Sequence, residues 1–483
     1  MRNRILTYCL LLAALLWVCP SAGAQDPVTI TGDAPFAAGE EIRLLVFDDL
    51  LNNIPSIVAT DKIDKQGRFK LTYKTNKVRQ VQLAIRTTKA DFFVAPYNTY
   101  HFHIATDSAL FGMVNPEKYG GFLHITTDKT DTADLNYKIN RFTHYFDRAM
   151  NYYGFRLTYD HDKNAYDTLT YLIDSVFHVN YIPDNFYSSY VYYTCGILDR
   201  LYMVKEQQLI YDKYFNHDDV LYDNPAYMIL FNSFYSNYLY NSRHISKDLL
   251  TRTINEDPDY LTLFNEAGRD PMLVSERLRE LVIIRNLVDF YSNEEFDRGN
   301  IIKLLQYISV SSHFPEHVVY AENAVRLLKP SDTQSHPLYF VNEKGKKMDL
   351  HQFEGKEIYV QVFQSDCIDC IREMLLLKEY SQQYGDKLQF VSLNVDMKKD
   401  DYEQFCKTYK EMFDWPILYF NGNYDWLMAN GIETLPDYMI LNENACVIYR
   451  DVPAPEKGLA DYLLIRFPVQ EEDNTNPLFR NRQ

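Results

Sequence analysis

The sequence predicts a multidomain chain with an N-terminal antiparallel β-sandwich, a central all-α region and a C-terminal α/β domain. Three observations support this fold class. Short apolar runs separated by turns fill the first part, apolar residues recur at helical spacing in the second, and strand-like and helix-like segments alternate in the third. A chain of 483 residues also exceeds one ordinary domain. We predict a signal peptide at 1–24, the sandwich at 25–128, the helical domain at 129–330, the α/β domain at 331–470 and a flexible tail at 471–483.

The N-terminus has the pattern of a secretion signal. Arg2 and Arg4 form a basic start, and the apolar stretch 6–18 is too short to span a bilayer comfortably. Ala22-Gly23-Ala24 is a small-residue cleavage site, so Gln25 would become the first residue. We therefore expect an exported protein, with the periplasm as the favoured location. A cell-surface lipoprotein modified at Cys19 is the less favoured alternative.

The first domain is predicted from five short strands. Alternating or β-rich runs occupy Val28–Thr31, Ile42–Val46, Arg68–Tyr73, Val81–Ile85 and Tyr100–Ile104. Their spacing is typical of a small antiparallel sandwich. His101 and His103 would point to one face of the last strand, but no third metal ligand is visible nearby, so we predict no metal site.

Helical spacing dominates the central region. Asp270-Pro271 has the pattern of an N-cap followed by proline at the first helical position, with apolar residues recurring after it. The tyrosine-rich stretch 186–202 suggests either a peptide groove or helix packing, and we favour packing. Cys195 within it is expected to be a buried, inert thiol.

A polar, proline-flanked linker at 329–337 leads to alternating strands and helices. The predicted strands and helices follow in chain order: Glu357–Phe363 (β), Cys370–Tyr380 (α), Leu388–Val395 (β), Asp400–Met412 (α), Ile417–Phe420 (β), Tyr438–Leu441 (β), Ala445–Tyr449 (β) and Gly458–Phe467 (α). This order predicts an α/β sheet flanked by helices.

Charge and cysteine content narrow the function. The net charge of −17 repels phosphate backbones, so nucleic acid is excluded as a partner. Two of the seven cysteines, Cys9 and Cys19, would leave with the signal. The remaining cysteines are too few for a disulfide scaffold.

Cys367-Ile368-Asp369-Cys370 joins a buried strand to a helix. At a helix N-terminus, free N–H groups and the helix dipole favour a thiolate. Cys367 would attack a substrate disulfide, and Cys370, one turn later on the apolar helix face, would resolve the mixed disulfide. Zinc is disfavoured because no second pair of ligands is present. A static disulfide and a vestigial site on a binding domain remain alternatives.

The segment 337–467 resembles the thioredoxin-like family, in particular exported thiol-disulfide oxidoreductases of the multidomain Bacteroidota type. Gly355-Lys356 precedes the central strand, Ser365–Cys370 falls at the family's Cys-x-x-Cys position, and Leu388–Asp396 matches the next strand. Thr434-Leu435-Pro436 matches the loop with the family's cis-proline. The resemblance implies a thioredoxin-like domain in which Leu435 and Pro436 shape the substrate groove.

Three residues depart from the family pattern. Asp366 replaces the usual Trp, Asp369 replaces the usual Pro or His, and Gln361 stands where thioredoxin has a buried acid. The two carboxylates oppose ionisation of Cys367, which predicts a more reducing couple. Gln361 cannot relay a proton, which predicts slow exchange.

Taken together, these features predict a thiol-disulfide oxidoreductase of the reductase or isomerase type. Its only redox group would be the Cys367–Cys370 disulfide, with no other cofactor and no metal. Its partners would be exported proteins with disulfides and a membrane-linked or thioredoxin-type reductant. The alternative is a redox-inactive binding protein. Cys406 and Cys446 could pair, but we favour free thiols.

Overall fold

The computed structural model describes residues 27–107, 122–128, 131–203, 206–217, 219–293, 295–328, 339–353, 355–396, 398–422, 426–427, 430, 432, 435–443, 445, 447–449 and 452–467. The predicted signal peptide, linker and tail therefore lie outside the described residues, as do Thr434 and Cys446. Within the described residues, none of the helices is both long and apolar enough to cross a membrane.

Two four-stranded sheets form the N-terminal sandwich. The strands are β1 (Val28–Asp33), β2 (Glu41–Asp49), β3 (Ile54–Lys62), β4 (Arg68–Tyr73), β5 (Arg79–Ile85), β6 (Thr88–Val94), β7 (Thr99–Ala105) and β8 (His124–Thr126). One sheet has the order β4-β1-β7-β8 and the other β3-β2-β5-β6. Alternate side chains such as Ile30, Leu44, Leu83 and Phe102 share one core between the sheets.

The sandwich has the predicted fold class, and among its described strands the pairing of β1 with β7 is the parallel exception. Parallel neighbours need a long connection, and here the whole second sheet lies between the two strands in the sequence. The consequence is that β1 and β7 side chains far apart in sequence come side by side.

The sandwich is joined to the helices through buried polar contacts. Asp49 at the end of β2 is fully buried and accepts hydrogen bonds from Asn323 Nδ2 at 3.0 Å and Asn52 Nδ2 at 2.6 Å. Asn52 also donates to the carbonyl of Tyr320 at 3.1 Å. Burial raises the pKa of Asp49, and these donors oppose that rise.

The central region is helical as expected. Its helices are α1 (Leu135–Thr158), α2 (Lys163–Phe177), α3 (Phe186–Tyr202), α4 (Gln207–Tyr214), α5 (Pro225–Tyr235), α6 (Tyr238–Asn241), α7 (Lys247–Asn255), α8 (Tyr260–Ala267), α9 (Glu276–Tyr291), α10 (Arg298–Ser311) and α11 (Pro315–Leu328). The tyrosine-rich stretch is α3, and its tyrosines pack into the helical core, with Tyr193 fully buried. The packing interpretation is thus supported. The exposed aromatic side chains Tyr152 and Phe155 lie on α1 instead, and exposed Tyr159 is its C-cap.

Asp270 is an N-cap followed by Pro271, as predicted, but the helix they begin does not continue into a long α-helix. These residues begin a single 3-10 turn, Pro271–Leu273, and α9 starts afterwards with Ser275 as its N-cap. The Arg279 side chain binds the carbonyl groups between the 3-10 turn and α9. Its Nε donates to the carbonyl of Leu273 at 2.8 Å, and its Nη2 donates to the carbonyl of Val274 at 3.0 Å. Those carbonyls are therefore satisfied without a continuous helix.

The described residues of the C-terminal domain form a seven-stranded mixed sheet and three α-helices. Its strands are β9 (Phe340–Val341), β10 (Lys347–Met348), β11 (Glu357–Phe363), β12 (Leu388–Asn394), β13 (Ile417–Tyr419), β14 (Asp437–Leu441) and β15 (Val447–Tyr449), and its helices are α12 (Ile368–Tyr384), α13 (Lys399–Tyr409) and α14 (Leu459–Arg466). The order is β10-β9-β13-β12-β11-β14-β15, with β11, β12 and β13 parallel and the other pairs antiparallel. The near-continuous apolar run of β11 suits its central, buried place.

Candidate active site

A disulfide between Cys367 and Cys370 occupies the junction of β11 and α12, with the two Cα atoms 5.2 Å apart. Cys370 is fully buried, whereas Cys367 is partly exposed. Ile368, between them, is 81% exposed. Of the two sulfurs, the one on Cys367 is therefore better placed to meet a partner from solvent.

Cys367 is the N-cap of α12. Its Sγ accepts a hydrogen bond from the backbone N–H of Cys370 at 3.1 Å. In the reduced state the same N–H and the positive end of a 17-residue helix would stabilise a thiolate on Cys367. The sequence-based argument for an activated sulfur at a helix start therefore has a structural basis.

The two acidic neighbours differ in their surroundings. Asp366 and Asp369 are both exposed, which weakens their effect on the sulfur through solvent screening. Asp369 Oδ1 lies 3.2 Å from Arg372 Nη1, and Arg372 Nη2 lies 3.0 Å from Glu456 Oε2. Arg372 was missed in the sequence, although its i,i+3 spacing from Asp369 is a visible signal. It offsets part of the negative charge next to the cysteine pair.

Gln361 lies fully buried beneath the second cysteine. Its Nε2 donates to the carbonyl of Cys370 at 3.2 Å, and its Oε1 accepts from Ser392 Oγ at 3.2 Å. Trp415 Nε1 in turn donates to Ser392 Oγ at 2.9 Å. This neutral chain of hydrogen bonds holds the first turn of α12 in place and supplies no titrating group.

A buried acid is nevertheless present at Glu373, one helical turn beyond Cys370. Glu373 is only 4% exposed, and its Oε2 accepts the backbone N–H of Glu456 at 3.1 Å. Burial raises its pKa. The sequence signal was a glutamate on the helix face that also carries Cys370, Met374 and Leu377, and we overlooked it. Glu373 is thus a buried carboxyl on the same helix as Cys370, three residues further on.

Asp396, just after β12, fixes the loop that leads into the cysteine pair. It accepts the backbone N–H of Ser365 at 2.8 Å and also the Ser365 hydroxyl. Burial raises the pKa of Asp396, against the lowering effect of Ser365 and Asn394. The family resemblance indicated an acid at the end of this strand, and here it anchors the chain two residues before Cys367.

The Leu435–Pro436 peptide bond is cis. Asp437 pairs with Val362 on the neighbouring antiparallel strand, so Pro436 lies at the end of β11 from which the chain continues to Cys367. Leu435 and Cys367 are both partly buried against the same core. The structure thus brings Leu435 and Pro436 to the edge of the sheet that carries the cysteine pair.

The other cysteines stand apart from this pair. Cys406 is buried and unpaired, as expected, and burial raises its pKa. Cys195 is free but only partly buried, and burial raises its pKa to about 12. At neutral pH neither forms an appreciable thiolate. Cys446 lies outside the described residues, so its pairing stays a prediction.

Comparison with known proteins agrees with this geometry. Residues 322–463 match the model of the Redoxin family. The C-terminal part of the chain therefore matches a thioredoxin-like family and is similar in sequence to proteins named thiol-disulfide oxidoreductase ResA.

The curated relatives include two proteins named thiol-disulfide oxidoreductase ResA, from Bacillus thuringiensis subsp. konkukian and Bacillus cereus. Each is 26% identical over 106 residues, which cover 22% of this chain and 60% of the relative. The chain thus spans 60% of the length of these relatives.

Solved structures that match include a thiol:disulfide interchange protein from Bacteroides sp., at 16% identity and a TM-score of 0.25, which covers 29% of this chain and 91% of that one. Another is the thioredoxin domain of a thiol-disulfide oxidoreductase from Bacteroides vulgatus, at 16% identity and a TM-score of 0.24, covering 28% and 96%.

Proposed function

We propose that the chain is an exported thiol-disulfide oxidoreductase of the reductase or isomerase type that acts on disulfides of other exported proteins. The observation that carries the proposal is a partly exposed Cys367 at a helix N-cap, bonded to a fully buried Cys370. A pair with one accessible and one protected sulfur suits stepwise exchange.

In the reduced enzyme, the Cys367 thiolate attacks a substrate disulfide and forms a mixed disulfide, and one substrate sulfur leaves as a thiolate. Cys370 then loses its proton, with Glu373 as the candidate acceptor, and attacks Cys367 Sγ. The second substrate thiol leaves, and the Cys367–Cys370 disulfide closes. A membrane-linked or thioredoxin-type reductant returns two electrons to the pair. The chemistry needs no further cofactor, and Leu435 and Pro436 would border the substrate.

The reducing direction rests on the charges near Cys367. Asp366 and Asp369 disfavour the thiolate, and a less stabilised thiolate makes the dithiol a stronger reductant. Arg372 moderates this effect through its ion pair with Asp369. We therefore propose a couple well below the potential of strong periplasmic oxidants, which lies near about −120 mV.

The test is the redox potential of the pair. The protein is equilibrated with graded thiol–disulfide buffers, and free thiols are trapped and counted. A reversible two-electron couple that disappears in Cys367→Ser supports the enzyme. A potential near about −120 mV would refute the reducing direction. Two outcomes would favour the redox-inactive binding protein: a cysteine pair that stays reduced, or a disulfide that resists every physiological reductant. The uncharged Gln361 also favours this alternative.

Export is part of the same proposal. The basic start, short apolar stretch and small-residue cleavage site of residues 1–24 support it. We place the protein in the periplasm, with surface lipidation at Cys19 as the less favoured alternative. Mass spectrometry of the processed N-terminus distinguishes them: a chain that begins at Gln25 supports the first, and an acylated Cys19 the second.

A further inference from the structure

Three side chains that could ligate a metal meet on the outer face of the sandwich. His101 and His103 of β7 lie beside Thr31 and Asp33 of β1 in the parallel register. The ligand atoms of Asp33, His101 and His103 all lie within 4.8 Å of one another. The sequence alone offered no third ligand because Asp33 comes long before the histidines in the chain.

The hydrogen bonds of His101 leave one ring nitrogen available. The Thr31 hydroxyl donates to the carbonyl of Tyr100 at 3.2 Å, so its single proton is used. Thr31 Oγ1 must then accept from His101 Nδ1, 3.0 Å away. This contact places the proton on Nδ1 and leaves the lone pair on Nε2. An outer hydrogen bond that fixes the tautomer is typical of metal-binding histidines.

His103 connects two carboxylates. Its Nδ1 lies 2.6 Å from Asp33 Oδ1, and its Nε2 lies 2.6 Å from Asp128 Oδ1. The side chains of His103 and Asp33 are 41% and 37% exposed, so both can move by the distance that coordination requires. Arg68, which lies opposite Asp33 on β4, is paired with Asp64 at 3.0 Å.

We propose that Asp33, His101 and His103 form a binding site for a divalent transition ion of the Zn²⁺ class. Imidazole and carboxylate ligands suit Zn²⁺, and three protein ligands leave a fourth position for water or Asp128. Tetrahedral ligands at 2.0–2.2 Å from zinc are about 3.4 Å apart, which small side-chain rotations reach here. Binding replaces one proton of His103, and the two carboxylates balance the charge of the ion.

The test is Zn²⁺ titration of the full chain by calorimetry, with the Cys367–Cys370 disulfide kept oxidised so that these thiols cannot bind the ion. We expect one bound ion, and a loss of affinity of at least about 10-fold in both His101→Ala and Asp33→Asn. The matched control is His124→Ala, which removes an exposed histidine of neighbouring β8 and should bind as the parent does. The redox assay of Proposed function should be unaffected by all three changes.

Two results would overturn the site. One is the absence of Zn²⁺ binding by the parent at about 100 µM, an affinity too weak for a built site. The other is unchanged binding in the double variant His101→Ala/His103→Ala, which would place the ion elsewhere. Circular dichroism checks that each variant is folded. Thr31→Val keeps every ligand but releases the tautomer of His101, and about 10-fold weaker binding is expected.

Discussion

The cysteine pair of the C-terminal domain and the Glu280–His317 pair of the helical region both combine ionisable groups, but in opposite settings. Cys367 is partly exposed and its partner lies within one helical turn. Glu280 is 5% exposed and His317 fully buried. Glu280 accepts from His317 Nδ1 at 2.8 Å and from the hydroxyls of Ser312 and Tyr260.

Both members of the buried pair have more than one hydrogen-bond partner. His317 Nε2 meets the Tyr222 hydroxyl at 2.7 Å, so both ring nitrogens have partners. These bonds join α8, α9, α11 and the end of α10. The comparison teaches that ionisable side chains alone do not define a reactive site: access and an available partner position do. We therefore interpret the Glu280–His317 pair as structural and the cysteine pair as reactive.

The largest expected effect is the loss of turnover in Cys370→Ser. Cys367 can still attack a substrate disulfide, but no second thiol releases the product, so the mixed disulfide accumulates. We expect turnover in a protein-disulfide reduction assay to fall by at least about 10³-fold. Non-reducing gels should show the trapped adduct.

The control for this variant is Cys195→Ser, which removes a free thiol whose pKa is raised to about 12. It should leave turnover unchanged. Unimpaired turnover of Cys370→Ser, or an equal loss of turnover in the control, would contradict the assignment of Cys367 and Cys370 as the reactive pair.

The next effect concerns stability in the helical region. Glu280→Gln places an amide where three donors converge, and we expect a loss of roughly 3 kcal/mol in the free energy of unfolding. Denaturant unfolding followed by circular dichroism measures it. Glu276→Gln, an exposed change on the same helix, is the control and should stay within about 0.5 kcal/mol. If the two variants unfold alike, the network is not structural.

The Glu280 network also predicts acid sensitivity. Burial by itself raises the pKa of Glu280, but the bonds from His317, Ser312 and Tyr260 outweigh it, so the net pKa is lowered. The stability from a lowered carboxyl pKa is present above the ordinary glutamate value, about 4.3, and is lost as pH falls through the folded value. The stability difference between the parent and Glu280→Gln should therefore shrink progressively as the pH falls below about 4.3. A difference that persists there would contradict this origin.

A smaller effect is expected from Glu373→Gln, the buried acid near Cys370. Without a proton acceptor, resolution of the mixed disulfide should slow by about 10- to 100-fold. Folding should not suffer, since a buried carboxyl with a raised pKa weakens the folded state at neutral pH. Stopped-flow kinetics in the parent and variant measures the step, and Glu379→Gln on the same helix is the control. Equal rates would leave Cys370 without an assigned base.

Much of the fold and of the candidate site could be predicted from the sequence where the signals are local. β11, the helix after Cys367 and the loop with Pro436 follow from short apolar runs and a motif. Contacts between segments that are far apart in the sequence could not be predicted. The parallel pairing that places Asp33 beside His103 depends on sheet order, and the link from His317 to Glu280 depends on helix packing.

Some predictions failed because two sequence signals for a structural feature lie close together in the chain. Asp270-Pro271 and Ser275 are both good helix starts, and the bonds from Arg279 to the intervening carbonyls decided in favour of the second. Glu373 lies on a helix face whose other members, Cys370, Met374 and Leu377, are buried and apolar. The mismatch of an acid on that face was the available signal.

The smallest expected effect separates the two charges near Cys367. Asp369→Asn removes a negative charge next to the helix start and should lower the pKa of Cys367, whereas Arg372→Gln removes the positive partner and should raise it. Because both side chains are more than half exposed, each shift should stay below about one unit. The pH dependence of alkylation of the reduced protein measures both. Opposite shifts that shrink in high salt would establish that exposed charges tune the pKa of Cys367. The pKa of Glu280 in the buried Glu280–His317 pair depends instead on burial and on fixed hydrogen bonds. Shifts of the same sign would show that the changes act through the helix start rather than through charge.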